Sequence, residues 1–345
     1  MNVGSEIRIK TLNKSLSKIW IHILIFIIGI ILLSGLFFKC RIFSTDQTSI
    51  TSLIDQTDNI NDPAIHTISL RNLQPVTFAI ANDQSFWVAG QQKLIHLSQD
   101  GETLEELLVN QPFNTVIMYN DKILFAATDK QIVQIIFQKN HWVQKNFSQV
   151  NNEPFITSMC VSDDQLYVAD AGNKQLHAFD LQGNHLWSIK GKDKFIVPSP
   201  YFDVVPESQG GVWVVNPGMH RIENYDKNGD FRAFWEPDQK NKFLGCCNPA
   251  QLAVLSQERF VTLEKGIIRC RIFSPSGKME KLVASKPQLV NPQLPSDNTM
   301  ISKNFNYELA VKNDDSIVIL DADRKTLLVF KISKQHNDST RENAP

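Results

Sequence analysis

The stretch Leu166-Tyr-Val-Ala-Asp-Ala-Gly-Asn-Lys-Gln-Leu-His-Ala-Phe-Asp-Leu-Gln-Gly-Asn184 reads as two short apolar strands, each followed by a polar turn. Similar stretches recur along the chain at a period of about 40 to 50 residues, which is the mark of a repeat architecture rather than of unrelated hairpins. With each apolar centre placed under Val168, the copies align on Val88 (FWVAGQ), Ala126 (LFAATD), Val214 (VWVVNP), Val261 (RFVTLE) and Ile319 (IVILDA). Most copies continue into a second run and turn, as in IHLSQDGE, LHAFDLQGN, IENYDKNGD and CRIFSPSGK. The Asp-Gly, Gln-Gly, Asn-Gly and Ser-Gly pairs suit hairpin positions that need positive φ. One more short strand precedes each centre: VTFAIA, TVIMYN, ITSMCVS, YFDVVPE, QLAVLS and YELAVKN. The unit is therefore a four-stranded antiparallel blade, and the fold class is an all-β, six-bladed β-propeller over residues 65–333.

Closing such a ring means that no sheet edge stays open between the first and last blades. The sixth copy is one strand short, because the chain becomes polar after LLVFKIS, in the tail 334–345. The segment Ile65-His-Thr-Ile-Ser-Leu70 is expected to supply the missing outer strand.

Residues 1–64 fall outside the period. Ile19 to Phe38 is a run of twenty residues with no formal charge and His22 as its one ionisable group, long enough as a helix to cross a bilayer core of roughly 30 Å. Arg8, Lys10, Lys14 and Lys18 precede it, against Glu6, and only Lys39 and Arg41 follow directly. This bias predicts a cytoplasmic tail (1–18), a single transmembrane helix (19–38) and a remainder across the membrane. A cleaved signal peptide would have a shorter apolar core ending at small residues, and here Phe37-Phe38-Lys39 precede Cys40. The stretch 39–64 is rich in Ser, Thr, Asp, Gln and Asn and reads as a flexible tether.

Residues 1–41 hold six of the 35 basic residues and one of the 36 acidic ones, so the remainder carries a net charge of about −6. A mildly acidic domain lacks the basic footprint of a nucleic-acid binder, and no nucleic-acid partner is expected. Neither a Gly-x-Ser-x-Gly elbow, a His-Glu-x-x-His helix nor a phosphate-binding Gly-rich loop occurs, so the commonest hydrolase and nucleotide-binding signatures are absent.

In a propeller, the turns after the second strand and the links between blades share one face. Asp170, Asn216, Glu264 and Asp321 start four of those turns. Three carboxylates and an amide would suit Ca²⁺; the same residue types also serve to bond turn backbone. Gly245-Cys246-Cys247-Asn248-Pro249 lies in the link into the fifth blade, with Glu264-Lys265-Gly266 and Arg269 in a charged turn of that blade and His220 in a turn of the fourth. Cys246, Cys247, Asn248, Glu264, Lys265, Arg269 and His220 thus form the expected ligand or partner face. Adjacent cysteines suit a soft metal, a redox partner or separate disulfides. Cys270, in the same blade, is a candidate partner for either, while Cys160 and Cys270 also fit buried strand thiols.

The repeat YVADAGNKQLHAFDLQGN resembles the NHL repeat, in which Val-Ala-Asp-x-Gly-Asn is followed by a hydrophobic residue and then Phe-Asp-x-x-Gly; VWVVNPGMHRIENYDKNG is a looser copy. The GCCNP segment with AQLAVL and FVTLEKGIIRCRIFSPSGK resembles part of membrane-anchored bacterial NHL-type propellers. The resemblance implies a six-bladed ring in a bacterial inner membrane with the propeller in the periplasm. NHL-type rings include protein- and RNA-binding modules and one amidating lyase, and related rings include metal-dependent lactonases. A tethered binding or scaffold module for a protein or small ligand is the first expectation. A metal-dependent hydrolase using the acidic ring is the alternative.

Overall fold

All six aligned centres lie on the second strand of a four-stranded antiparallel sheet in the computed structural model, which describes residues 66–285 and 305–332. β1 (His66–Ser69) comes before the first blade. Blade 1 is β2 (Pro75–Ile80), β3 (Phe86–Gly90), β4 (Lys93–Leu97) and β5 (Thr103–Leu108); blade 2 is β6 (Thr115–Asn120), β7 (Ile123–Ala127), β8 (Gln131–Gln138) and β9 (His141–Gln149). Blade 3 is β10 (Ile156–Ser162), β11 (Gln165–Asp170), β12 (Gln175–Asp180) and β13 (His185–Ile189); blade 4 is β14 (Val204–Pro206), β15 (Val212–Asn216), β16 (Arg221–Tyr225) and β17 (Phe231–Trp235). Blade 5 is β18 (Gln251–Val254), β19 (Phe260–Glu264), β20 (Arg269–Phe273) and β21 (Met279–Ser285), and β22 (Tyr307–Val311), β23 (Ile317–Asp321) and β24 (Thr326–Phe330) begin blade 6.

β1 completes blade 6 by pairing antiparallel with β24, in the register His66 to Val329 and Ser69 to Thr326. The expected closure is therefore present, with Ile68 and Leu70 buried at the junction. β2, β6, β10, β14, β18 and β22 touch one another in a closed cycle, so the first strand of each blade faces the axis.

The core is not one mass but six layers, one between each pair of adjacent blades. On β3, Phe86 and Val88 pack against blade 6 while Trp87 and Ala89 pack against blade 2. A strand covered on both faces reads as an unbroken apolar run, not an alternating one. That is why the second strands stand out in the sequence, whereas outer strands such as β5 and β9, wet on one side, are weakly patterned.

The Asp-x-x-Gly turns are built by side chains. Asp180 Oδ1 accepts from the Gln182 and Asn184 amides at 2.9 and 2.8 Å, and Asp226 accepts from Asn228 and Asp230 in the same way. Gly183 has φ +91°, and a Cβ there would lie 2.4 Å from the Phe147 carbonyl of blade 2. Glycine is needed both for the left-handed backbone and for the approach of the neighbouring blade.

The expected cytoplasmic tail (1–18), the apolar run 19–38, the expected tether (39–64), residues 286–304 and residues 333–345 lie outside the described residues. Among the described residues no helix is long and apolar enough to cross a membrane.

Candidate functional site

Asp170, Asn216, Glu264 and Asp321 do end the second strands on one face, and all four are buried. They do not converge. A second-strand side chain is one strand removed from the axis, and each of these turns back into its own blade. Asp170 accepts from the Phe155 amide at 2.9 Å, in the link arriving from blade 2, and from the Asn173 amide at 3.1 Å. It also takes the Asn173 side chain at 2.6 Å and faces His177 Nε2 at 3.3 Å. Burial alone would raise its pKa, but these hydrogen bonds outweigh it and hold the carboxyl below its usual range. Asn216 does the same in blade 4, accepting from Ile196 N at 2.9 Å and donating to Lys194 O and to buried Glu223. Asp321 accepts from Arg324 N and pairs with the Arg324 guanidinium. The residues expected to ligate a cation instead fasten each inter-blade link or turn, and among the described residues no group of three or more His, Cys, Asp or Glu side chains is placed to hold a metal.

Glu264 is the most committed of the four. Arg271 Nε donates to Oε1, and Arg269 donates to Oε2 at 3.0 Å. Arg271 is itself buried, stacks over Phe273 at 4.6 Å and bonds the Asn241 carbonyl in the link before β18. Glu264 and Arg269 therefore form part of an internal ion-pair network beneath the expected face.

The axis carries two acids that sequence reading missed. Asp203, just before β14, accepts from Ser158 Oγ of blade 3 at 2.6 Å and from Leu252 N of blade 5 at 2.7 Å, so it joins the first strands of three blades. Glu308 on β22 accepts from Thr77 Oγ1 and Phe78 N of blade 1, both at 2.8 Å, across the ring closure. Burial pushes Asp203 up to about 6 despite its hydrogen bonds. Burial pushes Glu308 to about 8, with the Asp203 charge adding to the shift. Both carboxyls are held above their usual range, Glu308 further than Asp203, so Asp203 gives up its proton first as pH rises. Their only signal in the sequence is a lone acid within an apolar first strand, in YFDVV and YELAV.

The native state favours protonated Glu308, so its contribution to stability is complete below its ordinary pKa of about 4.5 and is lost as pH rises towards 8. Glu308→Gln keeps an acceptor for Phe78 N and offers a donor to Thr77 Oγ1. Relative to this variant, the parent protein is expected to lose roughly 3 kcal/mol between pH 5 and pH 8, because each pKa unit is worth about 1.4 kcal/mol and the channel screens part of the shift. Denaturant titrations at the two pH values check this; parallel curves would show that Glu308 does not titrate in the folded protein.

Among the described residues, the links 190–203 into β14 and 236–250 into β18 are long and lie at the mouth of the channel. Asn248 anchors the second link: its amide donates to the Leu244 and Lys265 carbonyls, and its Oδ1 accepts from Lys265 N at 2.7 Å. This pins Cys246-Cys247 beside the β19–β20 turn. The two sulfurs are 3.1 Å apart, Cys246 exposed and Cys247 4 % accessible. Lys265 Nζ stands 4.6 Å above the Tyr201 ring, which packs edge-on against Phe305 from the link into blade 6. Cys246, Cys247, Asn248 and Lys265 are thus brought together with Tyr201, which sequence reading did not select. His220 occupies the β15–β16 turn with φ +57°, and its Nε2 is buried without a hydrogen-bond partner.

Cys160, Cys246, Cys247 and Cys270 are all free thiols. Cys270 lies inside blade 5 opposite Leu263 and Ala284, so it is a core thiol rather than a disulfide partner for the link. Burial raises the pKa of both Cys160 and Cys270.

No protein-family model matches the chain, and no curated protein sequence matches it. Solved structures share the fold at low identity. A Bacteroides thetaiotaomicron protein of unknown function superposes with a TM-score of 0.56 at 10% identity, covering 79% of this chain and 73% of its own. A catalytically inactive virginiamycin B lyase from Staphylococcus aureus, solved with quinupristin, gives 0.55 at 12% identity over 78% of this chain and 99% of its own. A protein of unknown function from Bacteroides caccae gives 0.51 at 10% over 64% and 85%. At such identities the likeness is one of fold: the chain is an all-β, six-bladed β-propeller.

Proposed function

We propose that this chain is a membrane-tethered, extracytoplasmic binding propeller of NHL type, held in a bacterial inner membrane by residues 19–38 and meeting its partner at the channel mouth. The observation that carries the reading is the Asn248-anchored link, which gathers Cys246, Cys247, Lys265 and Tyr201 at one end of the ring. Ring closure and blade packing do not need this link to be long, and long links on a rigid scaffold are where binding groups concentrate. The apolar run and its flanking charges support the tether. Metal-dependent hydrolysis at the second-strand acids has no comparable support, because most of their oxygens already bond the protein's own turns, links and arginines.

A photo-crosslinking residue placed at Lys265 in the full-length chain in cells is expected to trap a partner, whereas the same residue at Lys227, in the turn at the opposite end of blade 4, traps none. Equal capture at both positions, or capture only at Lys227, sinks the assignment of the face. For the tether, the full-length chain is expected to sediment with membranes through alkaline washing and the chain lacking residues 1–41 to remain soluble; a soluble full-length chain removes the anchor.

A further inference from the structure

Cys246 and Cys247 are more than a polar patch at this mouth. Two thiolates on a tetrahedral ion with metal–sulfur bonds of ~2.3 Å stand about 3.8 Å apart, and the sulfurs here are at 3.1 Å. No third His, Cys, Asp or Glu among the described residues joins them in a metal-holding group. The pair sits closer than a bridging metal would set it. Neighbouring Cα atoms are ~3.8 Å apart, below the ~4.4 to 6.8 Å span of an ordinary disulfide. A bond formed between them is therefore strained and readily reduced, the property of exchangeable rather than structural disulfides.

Their surroundings assign different roles to the two thiols. Cys246 is exposed and open to a co-reactant. Cys247 is buried, and burial raises its pKa, with the neighbouring Cys246 sulfur adding to the rise and the nearby Ser199 hydroxyl and Lys265 charge opposing it. Asn248 holds Lys265 beside the pair through backbone bonds on both sides of the peptide.

We propose that Cys246 and Cys247 form a dithiol/vicinal-disulfide couple that exchanges electrons with disulfide-bearing molecules at the channel mouth. The Cys246 thiolate attacks one sulfur of the co-reactant disulfide, whose S–S bond breaks, and the first thiolate leaves and takes a proton from water. The resulting mixed disulfide on Cys246 is then attacked by Cys247, which gives up its proton next to the Lys265 ammonium. The second thiolate leaves and accepts that proton. The two cysteines lose two electrons and two protons, and the co-reactant disulfide becomes two thiols; a dithiol co-reactant runs the sequence in reverse. This activity goes beyond the binding reading and requires neither the tether nor a protein partner.

The test equilibrates the reduced full-length protein in glutathione/glutathione disulfide buffers of increasing oxidising power, followed by alkylation, digestion and mass spectrometry. The peptide bearing both cysteines is expected to lose two hydrogens in one two-electron step while Cys160 and Cys270 stay thiols. Cys247→Ser is expected to stop at glutathione on Cys246, and Cys246→Ser to block the reaction. Lys265→Gln should slow closure of the intramolecular bond about 5- to 10-fold without slowing the first attack, since a nearby cation assists the thiolate. Retention of both thiols in the most oxidising buffer, or a bond from either one to another cysteine or a second chain, overturns the proposal. The parent protein alone gives that answer if a variant fails to fold. A couple that titrates normally while the Lys265 crosslink captures nothing would defeat the binding reading and leave this one standing.

Discussion

Deletion of residues 62–74 is expected to abolish cooperative unfolding of the propeller. β1 is the outer strand of blade 6, so its loss removes the four-residue ladder to β24 and uncovers Val329 and Leu327, which pack with Ile68 and Leu70. It also leaves an open edge on a strand rich in Leu and Val, a template for pairing between chains. Every blade depends on its neighbours for its core, so opening one junction weakens the ring at its only covalently unlinked seam. The expected result is soluble aggregate or a broad, non-cooperative thermal transition by circular dichroism. A sharp melt at the parent temperature would show that β1 is dispensable. A milder probe, Ile68→Asp, places an unpaired carboxylate in the same junction and is expected to cost about 3 kcal/mol or more.

Glu264→Gln is expected to destabilise the protein by about 3 to 5 kcal/mol, the range for removing one partner of a buried ion pair. Arg271 is 2 % accessible and cannot give up its proton, and apart from Glu264 it touches the Asn241 carbonyl, the Met279 sulfur and two aromatic faces, with the Asp238 charge acting from further off. Chemical denaturation of parent and variant measures the loss. Because the cost is that of an orphaned charge, the double variant Glu264→Gln with Arg271→Met is expected to recover much of it. If the double variant is no better than the single one, the ion pair is not the source. A cation bound by Glu264 predicts something different: loss of metal on substitution, with no rescue from Arg271.

The failure of the acidic ring is informative about reading repeats. Asp170 accepts from the incoming link and from its own turn at once, so the geometry that places an aspartate there also uses up its oxygens. The alignment correctly put four polar side chains on one face but could not say which way they point. The acids nearest the axis, Asp203 and Glu308, are one strand further in, where their partners are 45 to 231 residues away in sequence. Likewise, GCCNP was conspicuous as a departure from the period, whereas the approach of Tyr201 and Lys265 to it depends on two links meeting at the mouth.

The sequence by itself determined the blade, the number of blades and the strand that closes them, because strands buried on both faces must be continuously apolar and tight turns must carry Asp and Gly. Only the tertiary structure decided which polar groups meet. Hydrogen bonds and ion pairs between blades are made across distances that local pattern does not encode, and they leave Glu264 locked to two arginines, two acids in the channel and a pair of thiols at its mouth.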